Sequence, residues 1–346
     1  MKTLTIKQPD DWHLHLRDGN ILRAVLPFTA NVHGRAIVMP NLKPPVNTVD
    51  AAIAYRDRIT AALPAGSTFE PLMTCYLTES LKPSEIKRGK EEGVFTAAKL
   101  YPAGATTNSE DGVTNIKNIY PVLEAMQEVD IPLLIHGEVT DPGIDIFDRE
   151  TVYIERELPQ ILADFPELRV VSEHLTTSVA VDFISAQSSR VGATITPYHL
   201  MINRNNMFQG GIRPHMFCMP VPKREKDRQA LRKAATSGDS HFFLGTDSAP
   251  HLTHLKENGS GSAGIFNSPV AIECLAQVFD EENALDKLEG FASIHGPNFY
   301  KLPINTDTIT LEKSPPSVPD EIDLGGQIGR IKVFSPPEKL EWRLLL

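Results

Sequence analysis

Eight short apolar runs, each closed by a polar residue or a breaker, constrain this chain of 346 residues more than any other feature. The first belongs to an extended segment over 4–16. The others span 35–40, 69–77, 94–100, 131–135, 168–172, 192–196 and 241–244. They are too short for helices, so they read as buried strands. Segments 49–63, 84–92, 115–129, 144–165, 179–187 and 227–235 lie between them and carry helical periodicity, as does 268–279 after the eighth strand. Thr48 is placed to cap the first of these, Gly93 to end the second, and Ile116, Ile119, Val122, Leu123 and Met126 mark one face of the third.

Strands alternating with helices demand parallel pairing through crossovers. Eight such units over about 280 residues suit a (β/α)8 TIM barrel better than a doubly wound sheet. The proline-rich tail, 306–346, reads as a C-terminal extension packed on the barrel, so 1–346 is expected to form one domain.

Composition narrows the function classes. The formal charge is −10, and no long basic run interrupts the acidic balance, which argues against a nucleic-acid partner. No stretch has the length of a membrane span, and the first residues lack the apolar core of a secretory signal. Cys75, Cys218 and Cys274 are odd in number and widely spaced, which points to a reducing, cytoplasmic setting.

The chemistry-bearing residues collect at the C-terminal ends of the predicted strands, which share one face in a parallel barrel. His13 and His15 lie two apart, a spacing that turns both imidazoles the same way in a strand. Lys99 ends the fourth apolar run, His136 follows the fifth, His174 follows the sixth, and Asp247 follows the eighth in Gly245-Thr246-Asp247. Singly, each has an ordinary reading as a surface, core or capping residue. Together they supply about the number of N and O donors that two divalent ions need, with positions left for water and substrate. An ammonium has no lone pair to offer a cation, so Lys99 fits this set only after carboxylation by CO2.

The longer strings are more specific. Pro9-Asp10-Asp11-Trp12-His13-Leu14-His15-Leu16-Arg17-Asp18-Gly19, Met39-Pro40-Asn41-Leu42, Ala97-Ala98-Lys99-Leu100-Tyr101-Pro102 and Gly245-Thr246-Asp247-Ser248-Ala249-Pro250-His251 closely resemble the dihydroorotases of the shorter, bacterial type, in the binuclear branch of the amidohydrolase superfamily. The resemblance runs from about residue 4 to at least 300. It implies that His13, His15 and Asp247 hold one zinc and that His136 and His174 hold a second. N6-carboxylated Lys99 and a hydroxide would bridge the pair, with the hydroxide as nucleophile and Asp247 as general base and then acid. The implied reaction is reversible hydrolysis of the cyclic amide of (S)-dihydroorotate to N-carbamoyl-L-aspartate, in pyrimidine biosynthesis, by a homodimer.

The resemblance also places Arg17, Asn41 and His251 on the substrate carboxylate and main-chain contacts to the ring at Met219 and Ala263. Arg17 suits that task by its planar fork, two residues beyond His15 if the extended backbone continues. The segment 103–112 suits a mobile lid, with Thr106 and Thr107 reaching the substrate. His199 completes no ligand set and is assigned a supporting role. Two other readings compete. A hydantoin- or allantoin-opening enzyme would not need the carboxylate grip. A non-catalytic barrel would have no reason to hold all six metal-binding positions.

Overall fold

The computed structural model describes residues 2–345. Its centre is an eight-stranded parallel sheet. In chain order, β1 (Thr3–Lys7) lies outside it. β2 (Asp11–Leu14), β3 (Arg35–Val38), β4 (Glu70–Tyr76), β5 (Phe95–Leu100), β6 (Leu133–Ile135), β7 (Val170–Ser172), β8 (Val191–Ile195) and β9 (Phe242–Leu244) follow one another around the barrel. The seam between β9 and β2 closes through a parallel bridge from Leu14 to Ser248 and a hydrogen bond from Asp247 N to His13 O of 2.8 Å. The expected (β/α)8 barrel is the architecture found.

The helices α1 (Gly19–Ala30), α2 (Val49–Ala61), α3 (Pro83–Glu91), α4 (Tyr120–Glu128), α5 (Arg149–Arg156), α6 (Leu158–Asp164), α7 (Ser178–Ser185), α8 (Pro197–Met201), α9 (Glu225–Thr236), α10 (Thr253–Lys256), α11 (Ala271–Glu281) and α12 (His295–Tyr300) connect and flank the strands. Three details depart from the sequence reading. The extended segment 4–16 is two strands in different sheets, parted by Gln8-Pro9-Asp10. The helix expected over 144–165 is two, because Pro159 cannot donate to the ladder and starts α6 instead. Helix α1 escaped notice because Gly19 opens it and Pro27 lies inside it; the Asp18 side chain caps it.

Inward-facing residues of the strands make a second, smaller core: Trp12, Ile37, Leu72, Ala97, Leu134, Val171 and Phe243. Below them Trp12 stacks on Tyr300 with centroids 4.3 Å apart. Gly296 permits this, since a Cβ there would meet the indole nitrogen at 1.9 Å. This floor sets the inward parity of β3 to β9; in β2 the register shifts between Asp11 and Leu14, so Trp12 lies in this core while His13 and His15 reach the rim. Two residues beyond the floor lie Met39, Lys99, His136, Glu173 and Gly245, and the next step reaches Asn41, Tyr101, Glu138 and Asp247. The rim is therefore polar by position as well as by composition.

The tail returns to the N-terminus. Strand β10 (Thr308–Lys313) pairs antiparallel with both β1 and β13 (Trp342–Leu345), while β11 (Glu321–Asp323) and β12 (Arg330–Lys332) form a separate hairpin.

Candidate active site

Strand parity alone brings Lys99, His136 and Asn41 inward. His174, off the parity of Val171, needs a further device, and Asp247, although on the parity of Phe243, shares it. Both have left-handed backbone, with φ of 44° and 42°, which turns side chains next to the strand ends back over the barrel. Arg17 also has positive φ, 59°, so the extended geometry does not persist beyond His15; the guanidinium reaches the rim by a turn. Tyr55 donates to its carbonyl at 2.6 Å and holds that turn.

Three donor atoms converge at one place. His13 Nε2 and His15 Nε2 are 3.2 Å apart, and Asp247 Oδ1 lies 3.3 Å and 3.1 Å from them. The ring of His15 lies with Nδ1 2.9 Å from Asn41 Oδ1, which fixes the proton on Nδ1 and leaves Nε2 bare. Bare nitrogen facing carboxylate oxygen is costly in a buried setting unless a cation lies between them. Ligands about 2.0–2.1 Å from a tetrahedral zinc stand roughly 3.3 Å apart, so the spacing suits such an ion.

A second group joins His13, Glu173 and His174, whose donor atoms lie within 4.8 Å of one another. His174 Nδ1 is buried without a hydrogen-bond partner. His13 Nδ1 and Glu173 Oε1 approach to 3.1 Å but are misaligned for a hydrogen bond. Lys99, fully buried, contacts the Glu173 carboxylate and lies 4.9 Å below the Tyr101 ring. His136 Nε2 is 2.8 Å from Glu138 Oε2, which leaves Nδ1 as its ligand atom.

Burial keeps the imidazoles of His15 and His174 in the protonation state that metal binding needs. It lowers His15 to about 4 and drives His174 well below its usual value, so their rings stay neutral. Burial would raise Asp247, but His13 and His15 overcome it and hold the carboxyl well below the usual range. Burial lowers Lys99 while Glu173 opposes it.

Around the cluster sit the groups expected for substrate. Arg17 Nη2 is 2.9 Å from His251 Nε2, and the same nitrogen is 2.9 Å from Ala263 O. One ring nitrogen cannot accept from Arg17 and donate to Ala263 at once, so the two compete for it. Burial and then Arg17 hold His251 down at about 2, so it is neutral. Thr107 bonds Ala263 O through its hydroxyl at 3.2 Å, and its own carbonyl accepts from Asn41 Nδ2 at 3.0 Å. Thr106 and Met219 line the same small cavity. The free space is about 20 Å³, room for about one water.

All thirteen residues singled out in the sequence thus meet at one rim. His199 lies behind it: Nδ1 is 3.0 Å from Thr196 Oγ1 and Nε2 3.2 Å from Pro220 O, a latch for the Met219 segment. The sequence reading passed over Glu173, Glu138, Tyr101 and Tyr198. The first three share the inward parity of Val171, Leu134 and Ala97, a signal present in the strand spacing.

An (β/α)8 barrel with buried imidazoles and carboxylates at its C-terminal rim defines a metal-dependent hydrolase of the barrel class. The amidohydrolase family profile matches residues 10–315. A dihydroorotase of Novosphingobium aromaticivorans is 60% identical over 343 residues, covering 99% of each chain. One from Yersinia enterocolitica is 58% identical over 341 residues, 99% of this chain and 97% of the relative. The crystal structure of dihydroorotase from Saccharomyces cerevisiae in complex with 5-fluoroorotic acid superposes with a TM-score of 0.91 at 33% identity, over 100% of this chain and 99% of that one. The chain belongs to the amidohydrolase family and, within it, to the dihydroorotases.

Proposed function

We propose that this chain opens and closes the cyclic amide of (S)-dihydroorotate, with N-carbamoyl-L-aspartate as the open form and ring closure as the direction used in pyrimidine biosynthesis. The convergence of His13 Nε2, His15 Nε2 and Asp247 Oδ1 carries the reading, since nothing in a binding or scaffold protein calls for two imidazole nitrogens and a carboxylate oxygen buried against one another. His13, His15 and Asp247 would hold one zinc, and His136 and His174 a second. Lys99, as its N6-carboxylate, would bridge them; burial favours the free amine that reacts with CO2. When bound, the cations supply carbonyl polarisation and a water of lowered pKa.

The remaining work falls to the chain itself. Asp247 takes a proton from the attacking water and passes it to the ring nitrogen as the C–N bond breaks; closure reverses both transfers. A substrate carboxylate between Arg17 and His251 relieves the competition of Arg17 and Ala263 for His251 Nε2, because Arg17 then donates to the carboxylate and the ring nitrogen is free to donate. Asn41 adds a donor. The main chain at Met219 and Ala263 contacts the ring, and Thr106 and Thr107 close over it. The yeast relative's 5-fluoroorotic acid ligand, itself a ring carboxylate, supports a substrate of that class. We assign the enzyme to the cytoplasm as a homodimer, with 306–346 as an extension of a single barrel domain and no nucleic-acid or membrane partner.

The direct test compares dihydroorotate with hydantoin. Turnover of dihydroorotate alone is expected, and a preference for hydantoin would overturn the assignment.

A further inference from the structure

Lys256, at the end of α10, is buried with 4% exposure, and among the described residues no carboxylate lies within 4.0 Å of its ammonium. Its three donors go instead to three main-chain carbonyls: Phe217 at 3.1 Å, Ser262 at 2.9 Å and Gly264 at 2.5 Å. These belong to two separate loops that bracket the proposed ring contacts. Phe217 lies two residues before Met219. Ser262 and Gly264 flank Ala263 on both sides.

The peptide planes make the consequence concrete. Ser262 O and Ala263 N share one plane, so the ammonium on Ser262 O fixes the direction of the Ala263 N–H and polarises it. Ala263 O and Gly264 N share the next plane. That plane is held by Gly264 N donating to Phe217 O at 3.1 Å, and Phe217 O is itself a Lys256 partner. Gly264 has φ of +146°, and a Cβ there would meet His251 at 2.8 Å and Ala249 at 2.9 Å, so the loop passes tightly over the rim at this point. The result is that Ala263 O faces His251 and Thr107. Burying an ammonium without a counter-ion is costly, and a loop needing only bulk would be filled by an apolar side chain.

We propose that Lys256 is a positioning residue that orients the Ala263 main chain toward the substrate ring and anchors it to the loop that leads to Met219. This rests on the functional reading above. Its effect belongs to substrate binding, because it touches neither the metal-binding cluster nor Asp247. The positive charge also bears on the anion site, since Lys256 is among the groups that hold His251 low.

The test is steady-state kinetics on wild type, K256M and K256Q with dihydroorotate, together with metal content per chain. Methionine keeps the length of the stem and removes all donors; glutamine restores two. Loss of charge-assisted bonds is expected to raise KM about tenfold or more in K256M, with kcat within about threefold and metal content unchanged. K256Q should fall between K256M and wild type, and if K256M does not fold, a rise of about threefold in K256Q carries the claim. KM within twofold of wild type in the variants that fold, even with a lowered melting temperature, overturns the inference and leaves a structural strap. Wild type unable to turn over dihydroorotate would refute the functional reading itself, and this inference with it.

Discussion

The hydroxyl of Tyr198 donates to Oδ2 of Asp247 at 2.6 Å, while Oδ1 of the same carboxylate faces Nε2 of His13 and of His15. The two oxygens therefore have different partners, and the tyrosine fixes which one turns toward the cluster. Tyr198 sits in α8, buried, with burial first and Asp247 next raising its pKa well above the usual value, so it remains a donor throughout the working range. Tyr198→Phe is expected to lower kcat about tenfold, the scale of one hydrogen bond to a charged group, while the metal content per chain stays at the wild-type value. Kinetics and metal analysis on the same preparation check this.

Lys99 provides a second prediction. Alanine there removes the side chain proposed to link the two halves of the cluster as a carbamate. K99A should lose one cation and more than about a thousandfold in turnover, since unlinked ligands hold a second ion weakly. Added short-chain carboxylates should restore part of both, which metal analysis and the turnover assay would register; an unaffected metal content would rule out the bridging role.

The proposed lid gives a third. Thr107 ties 103–112 to Ala263, and Asn41 ties it to the segment after β3. Replacing Thr106 and Thr107 together with Ala should lower kcat/KM about tenfold or more with both cations retained. Unchanged kinetics would remove the lid from the mechanism.

Glu273 lies far from the rim, in α11, and supplies a pH prediction for stability. Its carboxyl accepts from Leu344 N at 3.2 Å, and burial raises its pKa from near 4.5 to about 7. Between those values the folded chain holds a proton that the unfolded chain has released. The contribution is fully present below about 4.5, is lost as pH rises through about 7, and stays lost above that. Glu273→Gln should therefore be more stable than wild type at pH 8 by about 1–3 kcal/mol and nearly equal at pH 4.5. Denaturant titrations at the two pH values make the comparison.

The barrel and most of its rim were legible because they depend on local rules. Apolar runs of strand length, punctuated by breakers, specify the alternation. The position of a polar residue just past each run specifies the face. What escaped had physical reasons. Pro27 within α1 masked a helix that the Asp18 cap and the buried Leu22, Val25 and Leu26 sustain. Arg17 reaches the rim through a left-handed turn that no periodicity announces. Glu173 was overlooked beside His174, although the inward step from Val171 leads to the glutamate first and the histidine enters only through its positive φ.

Metal dependence is the measurement closest to the centre of the account. Loss of dihydroorotate absorbance in the far ultraviolet would be followed before and after chelation, with the bound metal quantified each time. The account predicts about two zinc ions per chain as prepared, turnover abolished in step with their removal, and recovery when zinc is returned. Full turnover by chain stripped of metal would contradict it.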